Sequence, residues 1–362
     1  MGYRRPDRPP EGPVVPPTRS TLRARAPLRV SFAGGGTDVP PFPEREGGAV
    51  LSSTITRYAY STLRPRTDGV VTVQSLDFGE SVDFEVGSPV ELDGRLDLPK
   101  AAIRHLLEYP HAFAATGFDL FLHTNAPPGS GLGSSSAVMV SVIALVAAHL
   151  GVDLTPHEIA ELAVRLERED LAIPGGLQDQ YAAAFGGFNF IEFGSDEVVV
   201  YPLRIRGATV HELEHNMLLA FTGKTRVSDH IIEDQVSRYE HGQADATAGL
   251  RAQKEIAHAM KQALLRGDVP AFGSLLGQAW AQKRKMSERI STPLIDEAVD
   301  VALRNGALGA KVTGAGGGGH MIFVCEFERK HLVAEKLLAM GMMVSESTFS
   351  QHGVTTWRVE TL

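Results

Sequence analysis

The stretch PPGSGLGSSSAVMVSVIALVAAHLG, residues 127–151, constrains this chain more than any other. Glycine stands at 129, 131 and 133, and serine at 130, 134, 135 and 136. An apolar run of about 14 residues follows, with no Asp, Glu, Lys or Arg. Such a run predicts a helix that is apolar on every face and therefore buried. It is too short to span a bilayer. The N-terminus of a buried helix presents free N–H groups and the positive end of the helix dipole. The glycines let backbone approach a ligand with no Cβ in the way, and the serines add hydroxyls. A phosphate suits such a place. A flexible turn before a core helix is the alternative that this stretch alone leaves open.

Two common phosphate loops do not fit it. A Walker A loop ends in Gly-Lys-Ser/Thr, and no lysine follows these glycines. A dinucleotide fingerprint needs glycine where Ser134 stands. A formal G-x-G-x-x-G does occur at Gly314, Gly316 and Gly319, but the strand-like HMIFVCEF follows it instead of a helix.

The remaining composition is that of a globular protein with a sizeable core. Of 362 residues, 43% are hydrophobic and 22% charged, and the net charge is −8. No dense Lys/Arg block marks a nucleic-acid surface. The single cysteine, Cys325, excludes an internal disulfide and a paired-cysteine zinc site, and reads as a core thiol. No apolar core near the N-terminus marks a signal peptide, so a cytoplasmic location without membrane contact is the default expectation. Residues 1–21, rich in Pro and Arg, read as a disordered tail. Strands are expected from Leu28, across GAVLSSTITRYAYSTLRPR and GVVTVQSLD, and at FDLFLHTNA, HNMLLAFTG and MIFVCEF. Helices are expected at PKAAIRHLLEYPHAF, at TPHEIAELAVRLERED with Thr155 as N-cap and Glu158 closing a capping box, and at four stretches between 230 and 306. No steady βαβ rhythm appears, so an α+β protein of two lobes is expected, divided near 207/208.

Two further glycine-rich stretches complete the pattern, APLRVSFAGGGTD at 26–38 and KVTGAGGGGH at 311–320. In this order and spacing the three resemble the motifs of the GHMP kinases, over the chain from about Leu22 onward. The resemblance implies a ribosomal S5 domain 2-like N-terminal lobe over 22–207 and a ferredoxin-like C-terminal lobe over 208–362. It also implies ATP and Mg²⁺ as cofactors. By resemblance, Gly129, Ser130, Gly131, Gly133, Ser134, Ser135 and Ser136 hold the nucleotide phosphates. Ser135 and Glu167 hold the metal; a solvated helix face is the other reading of Glu167 and Glu169. Asp179 receives or orients the acceptor hydroxyl proton, and Arg29 stabilises Asp179 as an anion.

On the acceptor side the resemblance implies Gly35, Gly36, Thr37, Asp38, Gly175, Gly176 and Gln178, with Gly316 and Gly317 in support. Gly35 and Gly36 stand where galactokinases carry bulkier side chains, which opens the pocket. FAGGGTD, EREDLAIPGGLQDQYAAAFGGFNF and TGAGGGG look like the branch that phosphorylates the anomeric hydroxyl of D-glycero-D-manno-heptose 7-phosphate. An acceptor phosphate needs cations, for which Lys100, Arg104, Arg226, Lys283 and Lys285 are candidates. Kinases of unphosphorylated hexoses such as fucose, and a sugar and ATP sensor without turnover, are the alternatives. His320 reads as a packed loop-end residue, and Trp280 and Trp357 as core or interface residues. The expected partners are a sugar phosphate and ATP, with a homodimer left open.

Overall fold

The computed structural model describes residues 20–109, 117–225 and 229–360. The expected tail lies outside the described residues except for Ser20 and Thr21, and so do Arg226 and the end of the helix expected to reach Phe113. In chain order the elements are β1 (Thr21–Ala33), α1 (Phe42–Glu46), β2 (Gly48–Pro65), β3 (Val70–Ser75), β4 (Glu80–Glu85), α2 (Asp97–Leu107), β5 (Phe118–Thr124), α3 (Ser134–Leu150) and α4 (Pro156–Arg165). They continue with α5 (Gln178–Phe185), β6 (Phe188–Phe193), β7 (Val198–Pro202), α6 (Gly207–Asn216), β8 (Met217–Phe221), α7 (Asp229–Glu240), α8 (Ala244–Arg266), α9 (Val269–Lys283) and α10 (Pro293–Arg304). The chain ends with β9 (Ala307–Val312), β10 (His320–Cys325), α11 (Lys330–Ala339), β11 (Met343–Ser345) and β12 (Thr355–Val359).

One sheet runs β12-β1-β2-β5-β3-β4, with β6 on β2 and β7 on β6. The long β2 pairs β6 through Gly48–Ser53 and β5 through Ala59–Pro65. A second sheet, β11-β8-β10-β9, is antiparallel throughout. Burial follows how each strand is covered. In β1 burial alternates up to Arg25 and is continuous from Ala26 to Ala33; in β2 it is continuous through Ile55 and alternates beyond. Continuous burial marks strand segments covered on both faces. α3 and α5 pack on these strands, and so do α8 and α9 from the C-terminal half. Phe32 of β1 meets Phe272 of α9 edge-on, with centroids 5.1 Å apart.

The expected helix after the serines is α3. Thirteen of its side chains are buried, on every face, and it ends at Gly151 in the left-handed conformation. Thr155 caps α4 in a reciprocal capping box with Glu158. The helix then widens into a π-helical turn, Leu166–Asp170, which carries Glu167. Cys325 and Trp280 are core residues, whereas Trp357 is partly exposed on β12. Burial pushes the Cys325 thiol up to about 12. Among the described residues no helix is long and apolar enough to cross a membrane.

Candidate active site

Gly129, Gly131 and Gly133 all have positive φ, at 71°, 80° and 70°. A left-handed backbone at three alternate positions requires glycine. Gly133 is the N-cap of α3, and among the described residues no side chain caps the first N–H groups of that helix. With Ser134, Ser135 and Ser136 it lines a cleft of about 600 Å³. The third glycine-rich stretch closes on this loop from the other lobe. Thr313 Oγ1 donates to the Gly131 carbonyl at 2.7 Å, and a Cβ on Gly314 would lie 2.8 Å from Gly131 Cα. Gly316 and Gly317, expected at the acceptor, instead pack on Ile290, whose carbonyl accepts from the Gly317 N–H at 2.6 Å. Gly314 and Ala315 line the cleft in their place.

His320 is buried beneath the loop. The Ser130 carbonyl accepts from its backbone N–H at 2.8 Å and lies 3.0 Å from Nδ1. A carbonyl only accepts, so Nδ1 carries the proton. Burial lowers the imidazole to about 4, and the Arg57 charge adds to the shift. A histidine that folds neutral contributes stability above its unfolded pKa of about 6.5, and this contribution is lost as pH falls toward 4. Acid unfolding of the wild type is therefore expected to lose up to about 3 kcal/mol through this group. His320→Asn keeps a donor near the carbonyl and should flatten that part of the profile. Urea melts across the acidic range check this; equal slopes for both proteins would refute it.

Arg29 lies on β1, and Asp179 in the first turn of α5. They form a two-point ion pair, Nε to Oδ1 at 2.7 Å and Nη2 to Oδ2 at 2.8 Å. The third Arg29 nitrogen, Nη1, donates to the Gly131 carbonyl at 2.6 Å. One guanidinium thus ties the carboxylate to the glycine loop. A Cβ on Gly133 would lie 3.1 Å from Asp179 Oδ2.

Glu167 is buried on the wall of the same cleft. Its Oε2 accepts from Ser136 Oγ and Gln180 Nε2, both at 3.0 Å, while Oε1 is buried without a partner among the described residues. Burial pushes this carboxyl up to about 7, against the pull of Arg168. An orphaned carboxylate oxygen at a cleft wall suits a hard cation. Among the described residues no three His, Cys, Asp or Glu side chains cluster as a complete metal site, so waters or a ligand's oxygens would complete the shell. The serine bonded to Glu167 is Ser136; Ser135 is exposed at the cleft. Glu169 is exposed and does not line the cleft.

Asp38 is buried on the acceptor side. It accepts from the Gly36 N–H at 2.9 Å and from Gln178 through its backbone N–H at 3.2 Å and Nε2 at 2.9 Å. Any Cβ at Gly176 would sit 2.0 Å from Asp38 Oδ2. Arg168, which sequence reasoning did not single out, shapes this turn by donating to the Ile173 and Gly176 carbonyls. Thr37 does not reach the cleft; its hydroxyl joins Gly34 to Ala49.

The candidate cations separate clearly. Lys283 lines the cleft and donates to the Gly35 carbonyl at 3.2 Å. Lys100 is turned away, bound to Asp93 and Asp97, and Arg104 pairs with Asp170; neither lines the cleft. Lys285 is exposed outside it, and Arg226 lies outside the described residues. The structure adds Lys311, fully buried in β9, whose Nζ donates to the Ser31 carbonyl at 2.6 Å.

Comparisons with known proteins identify the family. The family described as GHMP kinases N terminal domain matches residues 97–187, and GHMP kinases C terminal matches 260–341. A D-glycero-alpha-D-manno-heptose 7-phosphate kinase of Campylobacter jejuni is 37% identical over 340 residues, covering 94% of this chain and 99% of that protein. An L-fucokinase/L-fucose-1-P guanylyltransferase of Bacteroides fragilis is 28% identical over 87% of this chain but 35% of its own length. Among solved structures, a D-glycero-D-manno-heptose 1-phosphate kinase from Bacteroides thetaiotaomicron superposes with a TM-score of 0.78 at 34% identity, covering 94% of this chain and all of that one.

Proposed function

The chain belongs to the GHMP kinase family, and on that premise we propose that it phosphorylates D-glycero-D-manno-heptose 7-phosphate at its anomeric C1 hydroxyl, with ATP as donor. The observation that carries this reading is the Arg29–Asp179 pair, bonded to the glycine loop and facing a cleft walled by Lys283 and Lys311. The near full-length relative named a heptose 7-phosphate kinase supports the choice of acceptor.

In this reading the glycine loop and the α3 N-terminus hold the nucleotide phosphates. Asp38 and Gln178 orient sugar hydroxyls. Asp179 accepts the C1 hydroxyl proton or orients it, while the new O–P bond forms and the β,γ-bridging P–O bond breaks, releasing ADP. Arg29 holds Asp179 in place through its two-point ion pair. Mg²⁺, where bound by Glu167 and Ser135, would neutralise charge on the phosphates. We also propose the division at 207/208, at the start of α6; the two family matches fall on either side of it.

A kinase of an unphosphorylated sugar is the second reading, favoured by the likeness to the fucokinase. A sensor without turnover is disfavoured by the intact Arg29–Asp179 pair. ADP release with the heptose 7-phosphate, free heptose, fucose, mannose and galactose separates the three. The proposal expects kcat/KM for the 7-phosphate to exceed that for free heptose by at least about a hundredfold, the scale of a lost charge-assisted contact. Equal rates with free heptose would favour the second reading, and no turnover of any sugar would favour the third.

A further inference from the structure

Lys311 has no role in the chemistry described so far. It sits on β9 in the otherwise apolar segment ALGAKV, yet it reaches the cleft wall. A lone buried ammonium is costly unless an anion compensates it. The groups around it do the opposite. Arg29 on β1 and Lys283 at the end of α9 are the charges that act on it, and Asp179 beyond them is already committed to Arg29. Its partner on β10 is the apolar Ile322. Burial first, then Lys283 and Arg29, hold its ammonium well below the usual lysine range.

The two lysines converge on one short segment. Lys311 donates to the Ser31 carbonyl and Lys283 to the Gly35 carbonyl. A Cβ built at Gly35 would stand 3.4 Å from Ser31 Oγ and 3.6 Å from Lys283 Nζ. Ser31 Oγ itself is buried, lines the cleft and has no hydrogen-bond partner among the described residues. An unpartnered hydroxyl beside one ammonium and a buried amine that can take up a proton calls for an anionic, hydrogen-bonding ligand.

We propose that Lys283, Lys311 and Ser31 form a phosphate subsite, and that Lys311 takes up a proton when the phosphate group enters. This deepens the kinase reading and rests on it for the two possible sources of the phosphate: the acceptor's own ester, or the terminal phosphoryl of the nucleotide. The arriving anion replaces the missing counter-charge, so the protonated amine becomes the favoured form.

The test is titration calorimetry in Tris and in HEPES, whose ionisation enthalpies differ, so that the heat reports protons taken up. The probes are heptose 7-phosphate, free heptose and a non-hydrolysable ATP analogue without divalent metal. Uptake approaching one proton per phosphate ligand is expected at alkaline pH. It should vanish at low pH, where the amine is already charged. Free heptose should give none. Uptake with the sugar phosphate assigns the subsite to the acceptor, and uptake with the nucleotide alone assigns it to the donor; either supports the proposal. Lys311→Met should abolish uptake and weaken phosphate binding by about tenfold or more. Lys311→Arg, permanently charged, should bind phosphate without uptake, an outcome that a purely structural lysine would not produce. Thermal melts establish that both variants fold. No uptake in the wild type, or unchanged uptake in folded Lys311→Met, overturns the proposal. Turnover is read separately, so heptose phosphorylation without proton uptake removes this inference and leaves the kinase reading standing.

Discussion

Asp179→Asn is expected to lower kcat by about 10²–10⁴-fold, the range lost with a positioned proton acceptor. The substitution keeps the shape of the side chain but removes its charge. Arg29 then loses its ionic partner while its Nη1 can still hold the Gly131 carbonyl, so the loop should keep its form. Nucleotide affinity should therefore change little while the chemical step collapses. Steady-state kinetics with the nucleotide Kd measured alongside decides this. A kcat within a few fold of wild type would remove Asp179 from the chemistry. An equal loss in nucleotide binding would recast the pair as scaffolding.

Gly314→Val should act on the nucleotide side instead. The first atom of any side chain there would stand 2.8 Å from Gly131 Cα and 3.1 Å from the Gly131 carbonyl oxygen. Both are backbone atoms with little room to yield, and the same loop is pinned by Thr313 and His320. The phosphate loop must shift, and misplacement by about 1 Å costs on the order of a hundredfold. The KM for ATP is expected to rise about 10–100-fold, with a smaller change for the acceptor. Initial-rate kinetics on a variant shown to be folded by its melting transition check this. An unchanged KM for ATP would mean that the contact between the two lobes does not set the loop.

The features legible in the sequence were those with local chemistry. The apolar run of α3, the glycines before it and the Thr155–Glu158 box each depend on residues a few positions apart. The π-helical turn was hidden because LERED continues the pattern of α4 without a break. α5 was hidden because its eight residues lie between two glycine pairs, at 175–176 and 186–187, too short a stretch to show a helical period. α6 lacks a clear apolar face, and only packing reveals it.

At the site, Asp38, Glu167 and Asp179 lay in stretches already marked by glycines. Lys311 did not stand out, because one lysine in an apolar strand says nothing about the two cations that approach it from β1 and α9. Lys100 carried a local warning in Asp93 and Asp97, partners seven and three residues earlier, which claim its charge. Gln180 and Arg168 stood in quoted stretches, yet their roles depend on contacts across a turn that spacing does not disclose.

The most direct test of the account is the position of the new phosphate. Wild-type protein is incubated with Mg-ATP and D-glycero-D-manno-heptose 7-phosphate, and the product is followed by ³¹P NMR with coupling to the sugar protons. A second phosphorus resonance coupled to the anomeric proton is expected, with the 7-phosphate retained and ADP formed in equal amount. A new phosphate on any other carbon, or ADP formed without one, would contradict it.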